Sequence, residues 1–202
     1  MIPLLLALAA AADTPATTPI AAERAFAADA KTIGQWTAFR KWSTDDAVMF
    51  VPQPINAHDF LKDRKDPPQA IDWWPTASWI SCDGTLAVNT GGWKRPDGSV
   101  GYFTTVWQRQ KDGSWKWVVD HGDALTSPRA PIAQPSLRRA ACNVPKFTRS
   151  PDPASIKSGV AVDNSLGWVW KVNADGSREV SVMIWGGKDF ENVLNDQVAA
   201  EK

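Results

Sequence analysis

Acidic and imidazole side chains gather in two places. The stretch 98-GSVGYFTTVWQRQKDGSWKWVVDHGD-123 ends in Asp120, His121 and Asp123, and a second histidine, His58, follows a run that carries Asp45 and Asp46. A carboxylate beside an imidazole is the raw material of general acid–base catalysis, provided both reach one reacting atom. Asp120 and His121 are neighbours in a segment of strand character, so they point to opposite faces of a sheet and at most one looks inward. By parity Asp120 goes with Val118 and Lys116, and His121 with Val119, Trp117 and Trp115. A His58–Asp120 dyad is the catalytic arrangement these residues allow. The plainer reading, which the spacing favours, makes Asp120 an acceptor for loop amides at a strand end and both histidines structural or exposed. Asp45 and Asp46 read as turn and helix-end residues.

Two histidines and two cysteines, with no paired ligand motif, argue against a metal site, and no cofactor is expected. Cys82 and Cys142 read either as a disulfide formed in an oxidising compartment or as two buried thiols. Twelve tryptophans are several times ordinary usage, and most must be core because the ring buries a large area. Trp73 and Trp74, ahead of Pro75, cannot both face inward in an extended chain. Trp93 and Trp107 fall on adjacent expected strands and are placed to stack on a pocket wall. The expected lining is Trp74, Trp93, Phe103, Trp107, Asp120 and His121, and an aromatic wall with few polar groups suits a flat apolar ligand or a sugar ring.

The elements that must position these residues follow from periodicity. Residues 20–33 carry Phe26, Ala30 and Ile33 at helical spacing, Gly34 breaks the run, and 35–42 form a second short helix. A strand at 47–51 closes at Pro52 and Pro54, and Asn56 caps a short helix over 58–64. Strands at 77–81, 85–95, 100–110 and 115–121 are joined by Asp-Gly connectors, whose glycines supply the positive φ that tight hairpins need. Helices followed by an antiparallel meander give an α+β fold with the helices on one face of a curved sheet. Residues 124–158 form a Pro-rich connection. Residues 159–202 read either as a C-terminal β-hairpin extension added to the main sheet or as a small module; the extension is favoured, since so short a segment rarely buries a core alone.

The chain has 202 residues, with 22 basic and 22 acidic side chains. No basic field exists to attract nucleic acid or an anionic membrane. Residues 1–12 contain an apolar run of signal-peptide length, too short to span a bilayer, and 13–19 read as a linker. The expectation is export to the periplasm or beyond, with no membrane insertion after the signal is removed.

Two helices, the strand entry 44-TDDAV-48 and the meander 101-GYFTTVW…DGSWKWVVD-120 together resemble the nuclear transport factor 2-like superfamily. The nearest branch is the polyketide-cyclase-like (SnoaL-like) group, in particular its domain of unknown function 4440. The resemblance spans about residues 21–122 and places one domain at 20–123. It implies a cone, a bent sheet around a helix with a pocket at its open end, and homodimerisation through the sheet. Members of the superfamily include isomerases, cyclases, dehydratases and non-catalytic binding domains. The ketosteroid isomerases among them place a general-base Asp one residue before the Pro that closes the first strand; here that position is Val51. Their tyrosine on the first helix has no counterpart, since the chain's one tyrosine is Tyr102. The expected role is therefore a non-catalytic domain that binds a small apolar or aromatic molecule or a partner protein. The alternative is an isomerase, dehydratase or cyclase that uses Asp120 or His58 as its acid–base group.

Overall fold

The computed structural model describes residues 16–145, 152–153 and 156–200. The expected leader lies outside them. Two helices open the chain, α1 (Pro19–Thr32) and α2 (Gln35–Trp42). Thr18 caps α1 by accepting the Ala21 amide at 3.1 Å, and Pro19 occupies the first turn, where its missing N–H costs nothing. A short α3 (Ala57–Leu61) is capped by Asn56, whose carbonyl oxygen accepts the Asp59 amide at 2.9 Å.

Sheet A contains β1 (Ser43–Phe50), β2 (Pro54–Asn56), β3 (Asp72–Ile80), β4 (Leu86–Lys94), β5 (Val100–Arg109), β6 (Trp115–Leu125) and β7 (Ser136–Arg139), in the order β2-β1-β6-β5-β4-β3-β7. Its central meander, β3 to β6, is antiparallel as expected. The whole sheet is mixed, because β1 runs parallel to β6 and β7 parallel to β3. The tips Asp97-Gly98-Ser99 and Asp112-Gly113-Ser114 share one device. Each aspartate accepts the serine amide two residues on at 2.9 Å, and each glycine has φ near +90° (+88° and +86°).

The C-terminal part departs from the expected hairpin on the main sheet. Strands β8 (Ile156–Val160), β9 (Leu166–Val172), β10 (Arg178–Trp185) and β11 (Phe190–Val198) form a separate antiparallel sheet B, in the order β11-β10-β9-β8. Sheet B lies on the outer face of sheet A. Leu166, Val180, Val182 and Ile184 meet Leu86, Val88, Val106 and Val119 there in one aliphatic cluster. The physical reason is the outer face of the meander itself, a row of valines and a leucine that must be covered. The Pro-rich connection also carries structure, since β7 extends sheet A and Cys142 is bonded to Cys82, with a Cα–Cα separation of 5.1 Å. Among the described residues no helix is long and apolar enough to cross a membrane.

Candidate functional site

The helices and sheet A, with one residue of sheet B, line an open-mouthed cavity of about 380 Å³. Its walls are aromatic. Phe26 packs edge-on against Phe39 and Trp73, with ring centroids 4.8 and 4.9 Å away. Trp93 and Phe103 continue the wall along β4 and β5. A Cβ at Gly101 would run into the Trp93 ring, so glycine is required where that indole lies across the sheet. Val51 stands at the mouth, preceding the cis peptide bond to Pro52.

Two carboxylates interrupt this surface. Glu23, on α1, is completely buried and accepts three hydrogen bonds. Trp107 Nε1 donates to it at 2.8 Å, Trp73 Nε1 at 2.9 Å and Asn89 Nδ2 at 3.2 Å. Burial pushes its proton affinity up to a pKa of about 7, and the three donors only partly offset this. Asp120, on β6, accepts a single long hydrogen bond, from Thr105 Oγ1 at 3.3 Å. It is enclosed by protein yet keeps part of its surface open to the cavity. Burial first, and the nearby Glu23 charge second, push it up to about 7, with the Thr105 bond acting in the opposite sense. An acid whose proton is evenly poised near neutrality is suited to both take and give a proton.

Asp120 reaches the cavity by a route that parity cannot see. The β5–β6 register runs Val106↔Val119 and then Trp107↔Trp117, so Val118 is a bulge. The extra residue flips the alternation between Trp117 and Val119. Trp115, Trp117 and Asp120 therefore share the inner face, while Val119 and His121 face sheet B. This corrects the grouping of Asp120 with Lys116, and of His121 with the tryptophans. Asp120 is a wall residue, and its hydrogen-bond donor is the Thr105 hydroxyl in place of the expected loop amides.

The other expected site residues divide. Trp93, Phe103, Asp120 and His121 line the cavity. Trp74 does not, because the inward member of its pair is Trp73; Trp74 turns outward and donates to the Arg129 carbonyl at 3.1 Å. Trp107 sits behind the wall, holding Glu23. His58 is on α3 with Nε2 2.8 Å from Ser43 Oγ, in a separate open polar cleft with Asp45, Asp46 and Lys116. The His58–Asp120 dyad is therefore not assembled. Asp45 and Asp46 belong to β1 rather than to a turn. Glu23 was not singled out from sequence, although it shares the buried stripe of α1 with Phe26, Ala27 and Ala30. An acid on an apolar stripe was the available signal. Among the described residues, no group of three His, Cys, Asp or Glu side chains is placed to hold a metal ion.

No family model matches this sequence, and no curated protein matches it. Solved structures are similar in shape to about half of the chain. A ketosteroid-isomerase-like protein from Parabacteroides distasonis aligns with 19% identity over 53% of this chain and 85% of its own, at a TM-score of 0.42. An aromatic-ring-hydroxylase-like protein from Novosphingobium aromaticivorans aligns with 17% identity over 53% of this chain and 86% of its own, at a TM-score of 0.38. The strand order and the helices laid across the inner face describe an α+β cone with a second sheet built on its back.

Proposed function

We propose that the cone binds a small, flat, largely apolar molecule and that Asp120 transfers a proton on it, the chemistry of an isomerase, dehydratase or cyclase. One observation carries this reading: a carboxyl with a single weak internal partner faces an aromatic cavity beside a second buried carboxyl. A purely structural buried acid would be satisfied by several donors, as Glu23 is. In this reading Glu23 is a positioning residue that sets the proton affinity of Asp120 through its charge. Tyr102 also lines the cavity. Burial and the charges of Asp196 and Asp123 push its phenol well above its ordinary value, so it stays protonated and offers a donor for charge developing on a substrate oxygen. The Cys82–Cys142 bond supports the further reading that the protein works in an oxidising compartment, periplasmic or secreted.

The test is proton exchange on a generic enolisable ketone. NMR of 1-tetralone in D2O should show protein-catalysed loss of its C2 protons. Asp120→Asn should slow that exchange by about 10²–10⁴-fold while leaving binding of the ketone in place. Binding without catalysed exchange would restore the non-catalytic binding role.

A further inference from the structure

The cavity does not stop at the inner face of sheet A. The pairing of β6 with β1 ends at Met49↔Asp120. Past that point the lining includes both faces of β5 and β6, with Tyr102, His121 and Asp123 joining Phe103 and Asp120. The last wall residue there is Arg178, the first residue of β10, contributed by sheet B.

Arg178 is an unusual arginine. It is 6% exposed. Its Nη2 donates to the Gly122 carbonyl at 3.3 Å, and its guanidinium lies 5.9 Å from the centre of the Phe50 ring. Its Nε is buried and has no hydrogen-bond partner. The ion pairs among the described residues do not include it. Two acids of this region have other engagements. Asp196 accepts Thr104 Oγ1 at 2.6 Å and lies 3.8 Å from His121 Nδ1, and Asp123 accepts the Ala124 amide at 2.8 Å. Asp196, Asp123, Arg178 and Arg129 all act on Tyr102, so the region carries two charges of each sign rather than a cationic field. What sets Arg178 apart is an unused donor on a buried cation that borders a cavity.

A buried guanidinium without a carboxylate is costly, because its lost hydration is only partly replaced. A carboxylate entering the cavity would supply an anionic acceptor in direct contact with the guanidinium, which neither neighbouring acid does. We infer that Arg178 is the anion-recognition residue of this cavity, and that its ligands are flat apolar molecules carrying a carboxylate. This rests on the reading of the cone as a ligand site. It also assigns sheet B a second role: besides covering the outer face of sheet A, it completes the binding site.

Calorimetric titration of the full chain with sodium 2-naphthoate and with methyl 2-naphthoate at pH 8 tests this. The acid should bind about tenfold or more tightly than the ester, the worth of one charge-assisted hydrogen bond in a dry site. Arg178→Met should abolish that preference, so that acid and ester bind the variant within about twofold of one another. The variant is expected to fold, since it removes an unpaired buried charge; Arg178→Gln takes its place if it does not. Equal binding of acid and ester by the native chain overturns the inference alone, as does an acid-to-ester ratio unchanged by the substitution. Failure of both probes to bind overturns the cavity reading together with it.

Discussion

The two faces of sheet A are built from the same strands and solve opposite problems. The outer face meets sheet B through valine, leucine and isoleucine side chains that interdigitate, with Val88, Val106, Val182 and Ile184 all at 0% exposure. The inner face meets the helices through tryptophan and phenylalanine rings, and a cavity remains among them. Small branched side chains fill irregular space to high density. Large planar rings held at their tips do not, as with Trp73 and Trp107, both tied through Nε1 to Glu23. One face is thus packed throughout, and the other keeps a cavity with two buried carboxyls beside it.

The strongest way to break this contrast is to place a charge in the packed face. Val182→Asp should destabilise the protein by about 4 kcal/mol or more, measured by urea unfolding, because no partner is present for the carboxylate. A charge already present on the cavity face should behave quite differently. The folded-state pKa values of Asp120 and Glu23 lie near 7, above the ordinary values of 3.8 and 4.5. Between those limits the native state binds more protons than the unfolded one. The associated stability is complete below about pH 4 and is lost as pH rises through 7. Asp120→Asn should flatten that decline, and relative to the native chain it should gain at most about 4 kcal/mol on going from pH 4 to pH 8. Denaturant midpoints across pH read this directly; a parallel decline in both proteins would show that Asp120 does not titrate with a raised value.

The disulfide tests how far the two faces are independent. It closes a sequence separation of 60 residues, between the end of β3 and the segment that leads into sheet B. Replacing both cysteines by serine should cost about 2–4 kcal/mol in unfolding experiments. Ketone binding in the cone should survive, because neither cysteine lines the cavity. The finest probe is Trp73→Phe, which keeps a ring in the wall and removes one donor from Glu23. It should cost about 1–2 kcal/mol and raise the Glu23 pKa further, a change that carboxyl NMR titration would register.

Much of the cone was legible in advance. Helical spacing in 20–42 and the Asp-Gly tips at 97–98 and 112–113 placed two helices and the central hairpins close to their observed limits, because these signals are local. β7 and β11 were not read, since their four exposed residues in one case and largely polar pattern in the other carry little periodic signal. The site was half legible. Trp93, Phe103 and Asp120 were expected at the cavity, but the face that Asp120 shares was misassigned by strict alternation.

Composition and local spacing determined that this chain would build helices against a curved sheet rich in tryptophan, because propensity and turn chemistry act between near neighbours. Only the tertiary structure decided that one bulge at Val118 turns Asp120 inward, that Glu23 waits beside it from a helix nearly a hundred residues away in the chain, and that Arg178 closes the cavity from another sheet. Those relations depend on register and on which surfaces must be covered. No short stretch of sequence encodes either, because both are settled by the free energy of the assembled layers.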